Sequence, residues 1–194
     1  MQAQTLNGMV RNLHNYITPT LLNSWLFNTS EYGNIDNFIS YLNKEKKEQT
    51  EAMLKGIEFE NECYEGKHEH IQKYIKGGLY QVECRKIYKD ILIFGYADVL
   101  IYDTIYDIKR VKSYKLGKYY NTSQHKIYCY CLDVDKFAYL VQGDYKTDDE
   151  AKDNFFTEPY TYKQGQAEQL IDQFIDWLKL TGYYNTWKEK WVRE

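Results

Sequence analysis

Proline is nearly missing from this chain, with two in 194 residues, so little forces its helices or strands to break. Long apolar runs are absent as well. Nothing approaches the length of a membrane span, and the start carries no charged stretch followed by an apolar one, so a soluble cytoplasmic protein without membrane attachment is expected. Cysteine is sparse: Cys63, Cys84, Cys129 and Cys131 show no C-x-x-C spacing, which excludes a disulfide scaffold and a zinc ribbon. Positive charge is not in excess. The 25 basic and 28 acidic residues leave a net charge of −3, which excludes a generic polycation that coats nucleic acid or anionic lipid but leaves room for a local basic strip. No repeat, low-complexity tract or Gly/Ser/Pro linker divides the chain, so one domain over residues 1–194 is expected.

What the chain has in abundance is tyrosine, 21 residues. Together with frequent Lys, Ile and Asn this fits a low-GC coding sequence and carries little functional weight. The hydrophobic pattern divides the domain into a helical N-terminal extension (1–50), a core (51–145) and a C-terminal strand and helices (146–194). Thr18-Pro19 reads as an N-cap and first helical position, opening a helix through Phe27. Further helices are expected from Ile35 to Lys46 and from Gln49 to Glu65. From Leu79 the pattern changes to strands, Tyr80–Tyr88, Ile91–Tyr102 and Ile105–Val111, with turns at Lys89-Asp90 and Asp103-Thr104. A helix over Ser123–Leu132 and strands over Phe137–Gln142 and Phe155–Tyr162 follow. Leu170, Ile171, Phe174, Trp177 and Leu178 then mark an amphipathic helix that Gly182 stops. The expected fold is α/β: a mixed central sheet, beginning as an antiparallel meander and flanked by helices.

The second hairpin carries the clearest chemistry. Alternation along a strand puts Asp107 and Lys109 on one face. With Asp103-Thr104 as the turn, Asp98 faces Lys109 across the hairpin, and all three side chains come together. Neighbouring carboxylates repel unless a proton or cation separates them, and Mg²⁺ binds through one or two carboxylates plus water and phosphate. A surface hairpin with an ordinary cross-strand Asp–Lys pair fits the same residues. On a helical wheel Glu60 shares an apolar face with Met53, Gly56, Ile57 and Tyr64, while Glu51, Lys55, Glu58 and Glu62 take the other. A carboxylate on that face needs a partner or a metal, or else lies at the stripe's edge bonded to a tyrosine. Gly56 on this face implies close approach of helix and sheet. Gln124 and Tyr128, four apart, share a face of the next helix. No acidic residue occurs between Asp107 and Asp133, whereas Arg110, Lys112, Lys115, Lys118 and Lys126 do. With Tyr114, Tyr119 and Tyr120 interleaved, the strip suits a phosphodiester backbone and unstacked bases; a solvated face with partly buried tyrosines also fits. His68, His70 and His125 form no zinc-ligand grouping.

Taken in order, Lys55-Gly56-Ile57-Glu58-Phe59-Glu60, Gly95-Tyr96-Ala97-Asp98, Asp107-Ile108-Lys109 and Gln124-His125-Lys126-Ile127-Tyr128 resemble the core motifs of PD-(D/E)XK nucleases. The RecB-like and lambda-exonuclease-like branches of phages and bacteria match best. The resemblance runs from about residue 55 to 130 and departs from the RecB-like pattern in having Asp107 where glutamate is usual. It implies a restriction-endonuclease-like core and a Mg²⁺-dependent DNA nuclease (Mn²⁺ substituting) that hydrolyses phosphodiesters with metal-activated water. It also implies exonuclease or recombination-type action rather than restriction. On this reading Glu60, Asp98, Asp107 and the Ile108 carbonyl hold the metal, Lys109 orients water and offsets charge, Gln124 and Tyr128 position the reacting groups, and the basic residues hold DNA. A homo-oligomer or a phage or host recombination partner is compatible with it. Some RecB-like members carry an iron–sulfur cluster on one early and three late cysteines; nothing after Cys131 supplies such a set, so no cluster is expected. The alternative is a catalytically inactive module of the same fold that binds DNA or a protein partner.

Overall fold

The structure is a computed structural model that describes residues 2–6 and 9–193; Met1, Asn7 and Gly8 of the expected N-terminal extension, and Glu194, lie outside the described residues. The chain begins with β1 (Gln2–Leu6) and β2 (Met9–Ile17), then α1 (Pro19–Asn28), α2 (Ile35–Leu42), α3 (Glu51–Tyr64) and α4 (Glu69–Ile75). The central strands β3 (Leu79–Tyr88), β4 (Ile91–Ile101) and β5 (Thr104–Arg110) follow. Next come α5 (Gln124–Leu132), β6 (Lys136–Gln142), α6 (Asp148–Asp153) and β7 (Phe155–Thr161). The chain closes with α7 (Gln166–Leu180), α8 (Tyr184–Lys190) and the short β8 (Val192–Arg193).

Local chemistry accounts for several helix starts. Thr18 caps α1 by accepting the Leu21 N–H at 3.1 Å, with Pro19 at the first helical position. Thr50 caps α3 in the same way through the Met53 N–H. The helical extension is corrected in its first part. Residues 2–6 and 9–17 form a hairpin, and β2 joins the sheet beside β4 in parallel and β8 in antiparallel. Those partners lie more than seventy residues away, so no local period betrays them. The second helix also ends earlier than expected, at Leu42, because Asn43 caps it and Lys44 takes a left-handed φ of 57°.

The sheet is mixed, as expected, and begins with the β3-β4-β5 meander. One edge of β4 pairs with β3 along its length, from Tyr88↔Ile91 to Leu79↔Leu100. The other edge is shared. β2 takes residues 91–93, β5 takes residues 99–101, and among the described residues no strand pairs with that edge from Phe94 to Asp98. β5 continues in parallel with β6, which pairs antiparallel with β7.

Helices cover both faces. One core layer joins Leu21 and Trp25 of α1, Phe38 of α2, Ile127 of α5 and Phe174 of α7 to Ile105 and Tyr139 of the sheet. The other joins Phe59, Cys63, Ile71 and Ile75 of α3 and α4 to Val99, Ile108 and Leu140. Strand β6 is buried on both sides from Phe137 onward, as a central strand between helical layers must be. The stripe drawn on α3 needs correction. Met53 and Ile57 are 55% and 47% exposed, and a Cβ on Gly56 would meet nothing within 4 Å. The half of α3 before Phe59 projects past the core, so only Phe59 and Cys63 anchor it.

Candidate active site

The hairpin turn sits one step earlier than the sequence suggests. Ile101 pairs with Thr104, so Tyr102 and Asp103 form the turn, with Tyr102 at φ 50°. The register therefore shifts by two residues, and a shift of two leaves every side chain on its expected face. Asp98 thus lies towards Asp107 rather than across from Lys109. Pairing between β4 and β5 ends at Val99↔Tyr106, and the two strands part at Asp98. Its Oδ2 accepts the Ile108 N–H at 2.8 Å, replacing the ladder bond that the fork removes. β4 is irregular at the same point. Ala97 packs in one core layer and Val99 in the other, although residues two apart on a regular strand share a face. Opposite this kink, Gln81 on β3 adopts φ 50°.

Around the fork the site residues assemble in two groups. In the first, Asp107 is fully buried. Its Oδ1 accepts from Gln124 Nε2 at 2.8 Å, and its Oδ2 contacts the Lys109 ammonium yet finds no hydrogen-bond partner of good geometry. In the second, Glu60 Oε1 accepts from Tyr64 Oη at 2.5 Å and from Gln81 Nε2 at 2.6 Å. Tyr64 Oη also lies 3.4 Å from the Asp98 carbonyl, which links the groups. Burial pushes both aspartates above the usual carboxylate range; Asp107 raises Asp98 further, while Lys109 opposes the rise in each. Burial works against the charge on Lys109, but Asp107 and Asp98 more than offset it and hold the ammonium above the usual lysine range. Tyr128, buried and then repelled by Asp107 and Asp98, keeps its phenol protonated.

The fold thus brings together Asp98, Asp107, Ile108, Lys109, Gln124 and Tyr128, with Glu60 held beside them by Tyr64 and Gln81. Among the described residues no three of His, Cys, Asp and Glu stand close enough to enclose a metal on their own. The donor chemistry nevertheless fits a hard divalent cation. The half-buried Asp98 and the fully buried Asp107 stand at the fork, burial disfavours both as anions, Asp107 has an orphaned oxygen, and Mg²⁺ needs only one or two carboxylates besides water and phosphate. The Ile108 carbonyl points to the same side of β5 as its N–H, hence into the fork.

The basic strip divides. Arg110 is committed to the structure, donating to the Gly143 carbonyl, pairing with Asp144 at 3.0 Å and stacking over Tyr145. Lys112, Lys115 and Lys118 are exposed, and Lys126 is half-buried, its pKa lowered by burial. Two of the interleaved tyrosines serve the core instead of solvent. Tyr119 stacks on Tyr139 at 4.4 Å, and Tyr114 donates to Glu158. Glu158, itself buried, also accepts from Tyr160 and from the Tyr119 N–H, and so anchors the segment leading to α5. Neither this role nor that of Gln81 is signalled in the sequence, where each reads as a polar residue of an alternating strand. Two of the three histidines singled out in the sequence are spoken for as well, while the buried His125 has an Nδ1 without a hydrogen-bond partner among the described residues. His68 pairs with Glu62, His70 with Gln142, and burial pushes His125 down to about 4.

No family model matches the chain, and no curated protein matches it in sequence. Solved structures do match in shape. LHK-Exo in complex with dAMP superposes with a TM-score of 0.57 at 13% identity, over 89% of this chain and 92% of that one. The alkaline exonuclease LHK-Exo of Laribacter hongkongensis superposes with a TM-score of 0.51 at 12% identity, covering 90% and 93%. The protein SSO0001 gives 0.56 at 19% identity, covering 86% and 76%. The fold is one that an exonuclease uses. At these identities the likeness shows the fold and leaves the chemistry to the residues. No described helix is long and apolar enough to cross a membrane.

Proposed function

We propose that this chain is a Mg²⁺-dependent deoxyribonuclease, of exonuclease or recombination type. The carrying observation is the Asp98–Asp107–Lys109 cluster at the β4/β5 fork, with Asp107 fully buried at its centre. Support comes from the whole-chain likeness to an alkaline exonuclease, one structure of which holds dAMP.

On this reading Asp98, Asp107 and the Ile108 carbonyl would hold Mg²⁺ together with water and substrate phosphate, with Glu60, held beside them by Tyr64 and Gln81, reaching the ion through a bound water. When bound, the ion would acidify a water and offset charge on the phosphate. The remaining work falls to the chain's own groups. Asp107 and Asp98 hold the Lys109 ammonium above the usual lysine range, so Lys109 enters the site as a cation and hydrogen-bond donor. An ammonium aimed into the fork holds the attacking water and stabilises the negative charge that grows on the phosphoryl oxygens. Gln124 fixes the Asp107 carboxylate, and Tyr64 and Gln81 fix Glu60, so the anionic groups do not have to reorganise during the reaction. The protonated Tyr128 phenol is a further donor beside the cluster.

End-labelled linear duplex, nicked circles and closed circles, incubated with Mg²⁺, Mn²⁺ or EDTA, test the proposal. Metal-dependent loss of linear DNA with closed circles spared is the expected result. Cutting of closed circles would make the enzyme an endonuclease. Absence of cleavage in every condition would leave an inactive binding module of this fold.

A further inference from the structure

Strand β3 has an edge that the fold leaves unused. Among the described residues only β4 pairs with it. The Lys89-Asp90 turn holds both residues at positive φ, 46° and 66°, which is the two-residue hairpin in which Tyr88 and Ile91 exchange hydrogen bonds. Alternation from that pair directs the N–H and C=O of Lys86, Cys84 and Val82 towards β4. It directs those of Ile87, Arg85 and Glu83 away from β4, and no described residue bonds them. At the other end of the sheet the edge strand β7 carries Pro159, and proline blunts an edge against pairing. β3 contains no proline. Its exposed face carries Glu83, Arg85 and Ile87, the last 50% exposed. Glu83 and Arg85 have opposite charges, and neither has an ion-pair partner among the described residues.

We propose that β3 pairs with β3 of a second copy of this chain, antiparallel about a two-fold axis at Cys84. The inference goes beyond the nuclease reading and does not depend on it. Outward-directed residues must meet outward-directed residues, and a two-fold axis makes every contact occur twice. Charge then selects the register. An axis at Glu83 sets two glutamates opposite one another, and an axis at Arg85 sets two arginines opposite one another; like charges directly opposite are unfavourable. An axis at Cys84, between them, sets Glu83 of each copy opposite Arg85 of the other. Each of these two pairs exchanges both N–H···O bonds, roughly four backbone bonds in all, and closes one ion pair on the exposed face. The same register brings the exposed Ile87 to the Gln81 end of the second strand. Pairing stops there, because Gln81 bends β3 at φ 50° and Tyr80 beyond it stacks on Tyr64, with ring centres 4.8 Å apart. The result is a sheet that runs continuously through both copies, the strand-addition mode in which backbone bonds hold and side chains select.

Sedimentation velocity at low salt, over a range of protein concentrations, reads the association. Wild type should pass from monomer to dimer as concentration rises. Glu83→Arg and Arg85→Glu each set like charges opposite one another twice, and each should weaken dimerisation about tenfold. The double variant Glu83→Arg/Arg85→Glu puts opposite charges face to face again and should dimerise as wild type does. Mixing the two single variants should also restore association, because each copy then meets opposite charge at both positions. Both side chains are exposed, so the variants are expected to fold, and recovery in the mixture shows that they do. Amide hydrogen exchange reads the backbone part. The Glu83 and Arg85 amides should exchange more slowly as concentration rises, while those of Cys84 and Lys86, already bonded to β4, should not change. A wild type that stays monomeric at every concentration would overturn the inference. So would a dimer that ignores the single reversals, a double variant and mixture that both stay monomeric, or a dimer whose Glu83 and Arg85 amides exchange freely. Cleavage of DNA by a strictly monomeric protein removes the dimer and leaves the nuclease reading standing, and a dimer without cleavage does the reverse.

Discussion

Asp107 and Asp98 are carboxylates that the fold disfavours as anions, and that cost is the physical signature of the site. Asp107 has no exposed surface, and its Oδ2 contacts the Lys109 ammonium. An acid whose pKa is raised in the folded state stabilises the fold at pH values below its unfolded pKa of about 3.9, and loses that contribution as pH climbs through the raised value. Above the usual carboxylate range the metal-free protein therefore bears a cost at Asp98, because burial disfavours its anion. Asp98→Asn, whose side-chain oxygen can still accept the Ile108 N–H, should raise the stability of the EDTA-treated protein by on the order of 1 kcal/mol, or about 2–4 °C in Tm. It should also abolish stabilisation by Mg²⁺. Thermal unfolding with and without Mg²⁺ reads both, and a Tm that falls in EDTA would contradict the account. The residues of this cluster were legible in the sequence because strand alternation and helical spacing dictate which side chains share a face. Their partners were not: Gln81 reaches Glu60 only because β3 bends through φ 50° there, and no residue pattern encodes that bend.

Among the elements, β4 does the most to shape the site, because it changes partner along one edge and turns its faces over at Asp98. Gly95 lies at the tightest point. A Cβ there would stand 3.1 Å from Pro19 Cδ and 3.1 Å from Tyr128 Cε1, and the proline ring at the start of α1 has little freedom to yield. Gly95→Ala should cost about 1–3 kcal/mol and displace Tyr128, lowering activity with it; chemical denaturation and a cleavage rate check the two effects. Unchanged stability would mean that α1 and α5 adjust freely to the sheet. Strands β3 to β7 and the α5 and α7 helices were readable from period and turn residues. The misplaced turn, Tyr102-Asp103 in place of Asp103-Thr104, did no damage because it slid the register by an even number. The α3 stripe failed because a helix that projects beyond the core exposes apolar residues that its wheel assigns to the interior.

At the scale of the whole molecule, a net charge of −3 means that, on the nuclease reading, DNA would have to be held by a local surface. The exposed Lys112, Lys115 and Lys118 on the segment anchored by Glu158 are placed to provide it. Each Lys→Ala change should reduce the slope of log affinity against log salt by about 1, and titrations at several salt concentrations measure this. A slope unmoved by all three would place the DNA elsewhere. The fold class was legible throughout the middle of the chain. The opening hairpin was not, because β2 owes its place to β4 and β8, which are remote in sequence. The central claim is that Lys109 is a catalytic cation in a Mg²⁺ site, and Lys109→Ala tests it most directly. Cleavage of linear duplex in Mg²⁺ and in EDTA is compared for wild type and variant, with thermal unfolding to confirm that both fold. The account predicts Mg²⁺-dependent cleavage by wild type and its loss in a folded Lys109→Ala protein; cleavage retained by that variant would contradict it.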